Sequence, residues 1–388
     1  MTEMVYGTVP QRTVEPILPR WWRTVDRWTI LCVFTLFGIG LLLGLAASAP
    51  LAEKHGFAPT HYVERQAVFG AMGLSAMSIL SMFPPDLVRR LATLGFAAVF
   101  VALVLLPFFG ESFGKGATRW YSLGFATVQP SEFLKPVYVV FCAWLIAASQ
   151  SVAGPPGKML TLVLTGMILG LLALQPDFGQ SALILYSWGV MYFVAGAPMV
   201  VLIGLAFTMI GVGFVAYHSH DYFAERINGF LSSEVDPNTQ IGYASNAIRE
   251  GGFFGVGVGE GEVKWSLPDA HTDFIIAVAA EEYGLVLVLV IIALYATIML
   301  RSIARLMRER DQFVLLAGSG LACIFAVQAM INMGVAARLL PAKGMTLPFV
   351  SYGGSSLLAG GITLGFLLAM TRTCPQGAIR DAFRGARQ

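Results

Sequence analysis

Read from one charged residue to the next, the chain falls into nine long stretches without Asp, Glu, Lys or Arg: 28–52, 66–85, 91–110, 136–157, 159–176, 178–220, 283–300, 312–337 and 344–371. Each is continuously apolar, and each can cross a hydrocarbon core, which takes roughly 20 residues of helix. The stretch 178–220 is long enough for two passes, hinged at Gly196-Ala197-Pro198. The pattern therefore predicts an all-α polytopic membrane protein of ten transmembrane helices. A closed barrel would instead show short segments of alternating polarity.

Composition agrees with the pattern. The chain is 56% hydrophobic and 12% charged, about half the charge of an average soluble domain, so a water-facing surface cannot be assembled from it. The predicted organisation is one membrane domain, 28–371, between cytoplasmic tails 1–27 and 372–388. With the first tail inside, 15 of the 25 Lys and Arg lie on the cytoplasmic side. Arg89, Arg90 and the tetrad Arg301, Arg305, Arg308 and Arg310 decide the matter, because short loops weigh most. Both termini are therefore expected in the cytoplasm. The first apolar window starts at Trp28 and is too long for a signal-peptide core, so it should stay as an uncleaved first helix.

Three outer segments remain: 110–133, 337–349 and, between helices 7 and 8, 217–274. The last is too long for a bare connector and should carry short helices or re-entrant turns. Sixteen of the 23 acids lie on or near this outer side, which argues against nucleic acid and fits a few local basic contacts to a phosphate. Cys32, Cys142 and Cys323 fall inside predicted helices and Cys374 in a tail, so no disulfide is expected. The five histidines, all outer, show no recognisable metal-ligand spacing.

Acids near the ends of spans should face protein, water or substrate, because a charge at the bilayer centre costs about 2.5–3.5 kcal/mol on insertion scales. Asp273, Glu281 and Glu282 are such acids. Pro268 is expected to open the following helix and to leave Asp269 in its first turn, where the helix dipole favours a carboxylate. Lys115, Arg119, Trp120 and Tyr121 form a basic and aromatic cluster, or part of an interfacial aromatic belt. Ser131 reads as an N-cap, with Glu132 and Lys135 three apart on one face and able to pair. The glycine-rich run 251–259 follows no strand, so it is no nucleotide loop, although its free N–H groups could touch a phosphate.

Five blocks occur in order: Gln129-Pro130-Ser131-Glu132-Phe133-Leu134-Lys135; Gln175-Pro176-Asp177-Phe178-Gly179; Leu267-Pro268-Asp269-Ala270-His271-Thr272-Asp273-Phe274; Glu281-Glu282-Tyr283-Gly284; and Lys343 to Ser356. Together they resemble the signature blocks of the SEDS family, and the pair Lys343-Gly344 resembles its cell-division branch more than its elongation branch. The resemblance implies a ten-helix peptidoglycan glycosyltransferase of the bacterial cytoplasmic (inner) membrane that polymerises lipid II on the periplasmic side.

It further implies that Asp273 is the catalytic carboxylate, a base for an inverting displacement of undecaprenyl pyrophosphate. Lys343, Arg119, Lys135, Glu132, His271 and Ser351 lie in or next to the matched blocks and are the expected substrate contacts, the cations toward pyrophosphate. A divalent cation, Mg or Mn, bridging pyrophosphate and a carboxylate fits such chemistry, with no ligand set legible in the spacing. The implied partners are a class B penicillin-binding protein transpeptidase and other division proteins. Asp269, Ala244, Arg338 and Ala342 depart from the usual pattern. Two other readings fit the same blocks: a lipid II flippase and a non-catalytic division scaffold.

Overall fold

A computed structural model describes residues 16–111, 118–122, 124, 127–151, 153–219, 221–231, 239–267, 269–341 and 344–373. In chain order the elements are α1 (Ile17–Thr24), α2 (Arg27–Lys54), α3 (His61–Ser81), α4 (Pro85–Phe109), β1 (Tyr121–Ser122), β2 (Thr127–Val128), α5 (Pro130–Ala148), α6 (Gly157–Leu174), α7 (Phe178–Val194), α8 (Met199–Ser219), α9 (Asp221–Leu231), α10 (Gln240–Gly251), α11 (Val263–Ser266), α12 (Ile275–Leu306), α13 (Gln312–Ala336) and α14 (Gly354–Met370). The nine uncharged runs, with 178–220 divided into two passes, fall on α2 to α8 and α12 to α14. Among the described residues, seven helices (α2, α4, α5, α6, α8, α12 and α13) are long and apolar enough to span a membrane on their own. The other three fall short for visible reasons. Glu64 and Arg65 sit in the first turns of α3, and α7 and α14 have 17 residues each.

Two local expectations are corrected. Helix α5 begins at Pro130 with Gln129 in the cap position, so Ser131 lies inside the first turn. Proline suits the first helical position because it lacks the N–H that would go unpaired there. Helix α12 begins at Ile275 and not at residue 268, which lies outside the described residues. Asp269 has φ 57°, a left-handed backbone that cannot continue a right-handed helix. Residues 269–274 instead form tight turns in which Asp269 O accepts from Thr272 N and Asp273 N, each at 3.1 Å.

The end of the bundle where α2 begins and α14 ends is fastened by ions. Asp26 caps α2 and takes two hydrogen bonds from Arg301 of α12, each 2.8 Å, with Arg305 at 3.4 Å. Arg372, just beyond α14, donates to Ser81 O and Met82 O at the end of α3. At the opposite end α12 is interrupted. Gly284 has φ 74°, and residues 252–257 pair with the open ends of the broken helix ladder: Leu285 N and Val286 N donate to Gly252 O and Phe253 O, while Glu281 O and Glu282 O accept from Val256 N and Gly257 N.

Helices α3 and α14 touch backbone to backbone. A Cβ on Gly361 would collide with Gly73 O, and one on Gly73 would stand 2.5 Å from Leu357 O. Small residues are what allow such an approach in membrane bundles.

Candidate active site

At the end of the bundle opposite the ion clasp lies a cavity of about 380 Å³, lined from α3, α5, the turns before α7 and α12, and the segment leading into α14. Two cations and four acids reach it: Arg65 and Arg119, with Glu132, Asp177, Asp269 and Asp273. The volume is in the range of pockets that hold small polar ligands or part of a larger one.

Asp273 is half-buried at this cavity. Its turn is clipped in place by Asn332 of α13, whose side-chain amide donates to Asp273 O at 3.0 Å and also to Met345 O. One buried amide thus holds the carboxylate's turn against the segment carrying Gly344. A Cβ placed on Gly344 would stand 3.2 Å from Asp273 Oδ2.

Glu132 lines the cavity from the first turn of α5 and accepts from Gln180 Nε2 and, at 2.7 Å, from Lys135 Nζ. The expected pairing is present, but Lys135 lies behind Glu132, 2% exposed, and spends a second hydrogen bond on Gln328 Oε1 at 2.8 Å. Its ammonium is directed into protein and does not line the cavity, so it fits charge balance for Glu132 better than contact with pyrophosphate. A buried carboxylate without such a partner would be strongly disfavoured.

Arg119 lines the cavity beside Trp120 and donates to Gln175 O at 2.9 Å and Pro176 O at 2.7 Å. It thereby fixes the turn that presents Asp177. Burial pushes the Asp177 carboxyl above the usual aspartate range, with Arg119 pulling the other way.

Two expected contacts do not reach the cavity. His271 is buried between the rings of Tyr62 and Tyr352, with centroids 5.7 and 5.5 Å away, and its carbonyl accepts from Tyr352 N. Burial lowers its pKa, with Asp269 raising it and His55 lowering it. Ser351 is buried and its hydroxyl caps Leu347 N at 2.9 Å. Both shape the loops around the site. Lys343 and Lys115 lie outside the described residues.

Sequence reasoning missed Arg65, Asn332, Gln328 and Gln180. Arg65 stands at the border of the apolar run 66–85, beside Glu64 within α3, and a charge at that place was the available signal. The amides carry no such signal, being uncharged residues inside apolar stretches. Among the described residues no three His, Cys, Asp or Glu side chains converge as a metal-binding group.

Comparison with known proteins decides the family. Residues 27–374 match the FtsW/RodA/SpoVE family, described as cell cycle proteins. The chain belongs to this family. A Caulobacter vibrioides relative, a probable peptidoglycan glycosyltransferase FtsW, is 40% identical over 366 residues, covering 94% of this chain and 93% of its own. A relative of the same description from Trichlorobacter lovleyi is 36% identical over 355 residues, 88% and 92% of the two chains. Among solved structures, a chain of a peptidoglycan synthase complex that coordinates polymerization and crosslinking superposes with a TM-score of 0.72 at 28% identity, covering 89% of this chain and 97% of that one. The rod shape determining protein RodA of Thermus thermophilus gives 0.65 at 26% identity, covering 90% and 97%. FtsW/RodA/SpoVE membership accounts for the order of the five blocks, which the fold gathers around one cavity or in the turns and helices that support it.

Proposed function

We propose that this protein is a peptidoglycan glycosyltransferase that polymerises lipid II at the outer face of the bacterial cytoplasmic membrane during cell division, with both termini in the cytoplasm. The observation that carries the reading is the position of Asp273: a half-buried carboxylate at a cavity shared with two arginines, at the bundle end away from the ion clasp. The names of the FtsW relatives support the activity. The similarity to a chain of a peptidoglycan synthase complex supports a transpeptidase partner, of the class B penicillin-binding type, acting with other division proteins.

In this reading Asp273 takes the proton of the acceptor sugar's 4-hydroxyl as its oxygen attacks the anomeric carbon of the donor. The bond from that carbon to the pyrophosphate oxygen breaks, and undecaprenyl pyrophosphate leaves with the bonding pair. An α-linked donor and a β-linked product need one in-line displacement, hence one base and no carboxylate nucleophile. A positioned base contributes about 10²–10⁴ in rate. Arg65 and Arg119, which line the same cavity as Asp273, would stabilise charge on the departing pyrophosphate. Glu132 and Lys135 neutralise each other beneath the site and hold Gln180 at the wall.

The flippase reading needs a polar route onward through the bundle. The space that Glu132 and Lys135 share with Phe325, Gln328, Pro348, Ser356, Ala359 and Thr363 holds only about 10 Å³, too little for a sugar headgroup, which supports chemistry at the cavity over passage through it. The test is the purified full chain with labelled lipid II: glycan polymer is expected from the wild type and none from Asp273→Ala, which should keep the wild-type melting temperature. Polymer from the Asp273→Ala protein at the wild-type rate would exclude Asp273 as the base; label crossing the bilayer without polymer would favour transport.

A further inference from the structure

The hydrogen bonds at the break in α12 have a register. In an unbroken helix Leu285 N would bond Glu281 O, and Val286 N would bond Glu282 O. Here those four groups bond instead to the segment 252–257: the two N–H groups donate to Gly252 O and Phe253 O at 3.1 and 3.4 Å, and the two carbonyls accept from Val256 N and Gly257 N at 2.8 and 3.2 Å. The segment is spliced into the helix ladder, and Gly255 N closes its own turn on Gly251 O at 2.7 Å.

The splice fixes a depth. From Leu285 to Arg301 the helix is regular, and 16 residues at ~1.5 Å each place Leu285 roughly 24 Å from Arg301. Arg301 is bonded to Asp26 at the charged boundary of the opposite face. A hydrocarbon core is ~30 Å thick, so Gly252 and Phe253, bonded at residues 285 and 286, lie inside it, and any helix tilt only deepens them. Yet Phe253 is 60% and Phe254 82% exposed, with Val258 at 68%. Leu285, Val286 and Leu289, on the membrane-spanning part of α12 just beyond, are also exposed. The loop's apolar tip thus continues the lipid-facing surface of a span. At that depth the carbonyls of Gly252 and Phe253 and the N–H groups of Gly255, Val256 and Gly257 are bonded to protein, which removes part of the cost lipid sets on irregular chain. Glu260 and Glu262 follow and are exposed, which returns the chain toward headgroups and water.

We infer that residues 252–258 form a re-entrant wedge whose phenylalanines rest among the acyl chains of the leaflet on the cavity side. The occupant of this surface is lipid. The wedge is joined to the site, because α11 follows it and Lys264 bonds Glu282 at 2.6 Å and Gly259 O at 3.0 Å, just before the turn that carries Asp273. The inference rests on α12 as a span and is independent of the reaction assigned to the cavity.

The experiment uses the full chain in phosphatidylcholine nanodiscs, whose two faces both meet buffer. Cys374→Ser removes the cysteine of the tail, and the three described cysteines are buried. Phe254→Cys is labelled with an environment-sensitive nitrobenzoxadiazole dye, and Glu260→Cys serves as the reference. At 254 the dye is expected to be quenched by phosphatidylcholine carrying a nitroxide on its acyl chain and to resist iodide. At 260 the order reverses, and the ratio of the two quenching constants differs several-fold. Iodide quenching at 254 equal to that at 260 overturns the inference, as does shielding at 254 from both quenchers, the mark of a protein cover. Phe253→Cys, also on the exposed tip, repeats the measurement should the first variant not fold.

Discussion

Asp273 and Gly344 face each other so closely that the glycine's missing side chain is part of the site: a Cβ there would stand 3.2 Å from Oδ2, on a backbone with φ 54°. Left-handed backbone costs a residue with a Cβ about 1–2 kcal/mol. Gly344→Ala is therefore expected to lower polymerisation strongly while the melting temperature falls only slightly. Gly353→Ala, at extended φ and 3.3 Å from a Thr346 methyl, should do less. Initial rates with labelled lipid II, beside melting curves, separate the two.

The pairing of Lys135 with Glu132 is buried on both sides, at 2% and 6% exposure. Removing one member of such a pair typically costs about 3–5 kcal/mol, because the other charge is left in a medium that cannot solvate it. Lys135→Met alone should lower the melting temperature sharply. The double change Glu132→Gln with Lys135→Met, which leaves no charge behind, should recover most of the loss. Equal destabilisation by both proteins would show that packing, and not the ion pair, is what Lys135 supplies.

His271 gives a pH dependence with a definite sign. Burial depresses its pKa below the ordinary 6.5, so the unfolded chain binds the proton more readily. Its contribution to stability is present above about pH 6.5 and is lost as pH falls through the lower folded value. Wild-type melting temperature should therefore decline on acidification in that range, with charging of the ring between Tyr62 and Tyr352 as the cause. His271→Phe keeps an aromatic ring there and should flatten that part of the profile.

Gly255, at φ 83°, presses against the Glu282 carbonyl, with which a Cβ would collide. Gly255→Ala is expected to unseat residues 252–257 from the helix break and to reduce polymerisation. Faster hydrogen exchange at Leu285 and Val286, which then lose their acceptors, is the accompanying signature.

The helical membrane fold was legible because nine uncharged stretches have few alternatives at their lengths. The first block also gave the Glu132 and Lys135 pairing, since three-residue spacing on a helix brings side chains together. What escaped were features set by the third dimension. Arg65 belongs to the cavity only because α3 packs on α14. Asn332 and Gln328 look like ordinary polar interruptions of α13 until the loops carrying Asp273 and Thr346 bring their carbonyls to them. Gly284 reads as a tolerated helical glycine, and nothing local says that a segment some thirty residues earlier completes its hydrogen bonding. Lys135 and His271 sit among the matched blocks in sequence, whereas folding buries both in the protein behind the cavity wall.

The glycine contact between α3 and α14 has a mechanical meaning for the cavity. Gly73 lies eight residues from Arg65, and Gly361 five from Ser356, roughly 12 and 8 Å along their helices. With no side chain between the two backbones, neither helix can slide or roll without the other. Arg65 and Ser356, which both line the cavity, are thus carried on two helices fastened directly to one another.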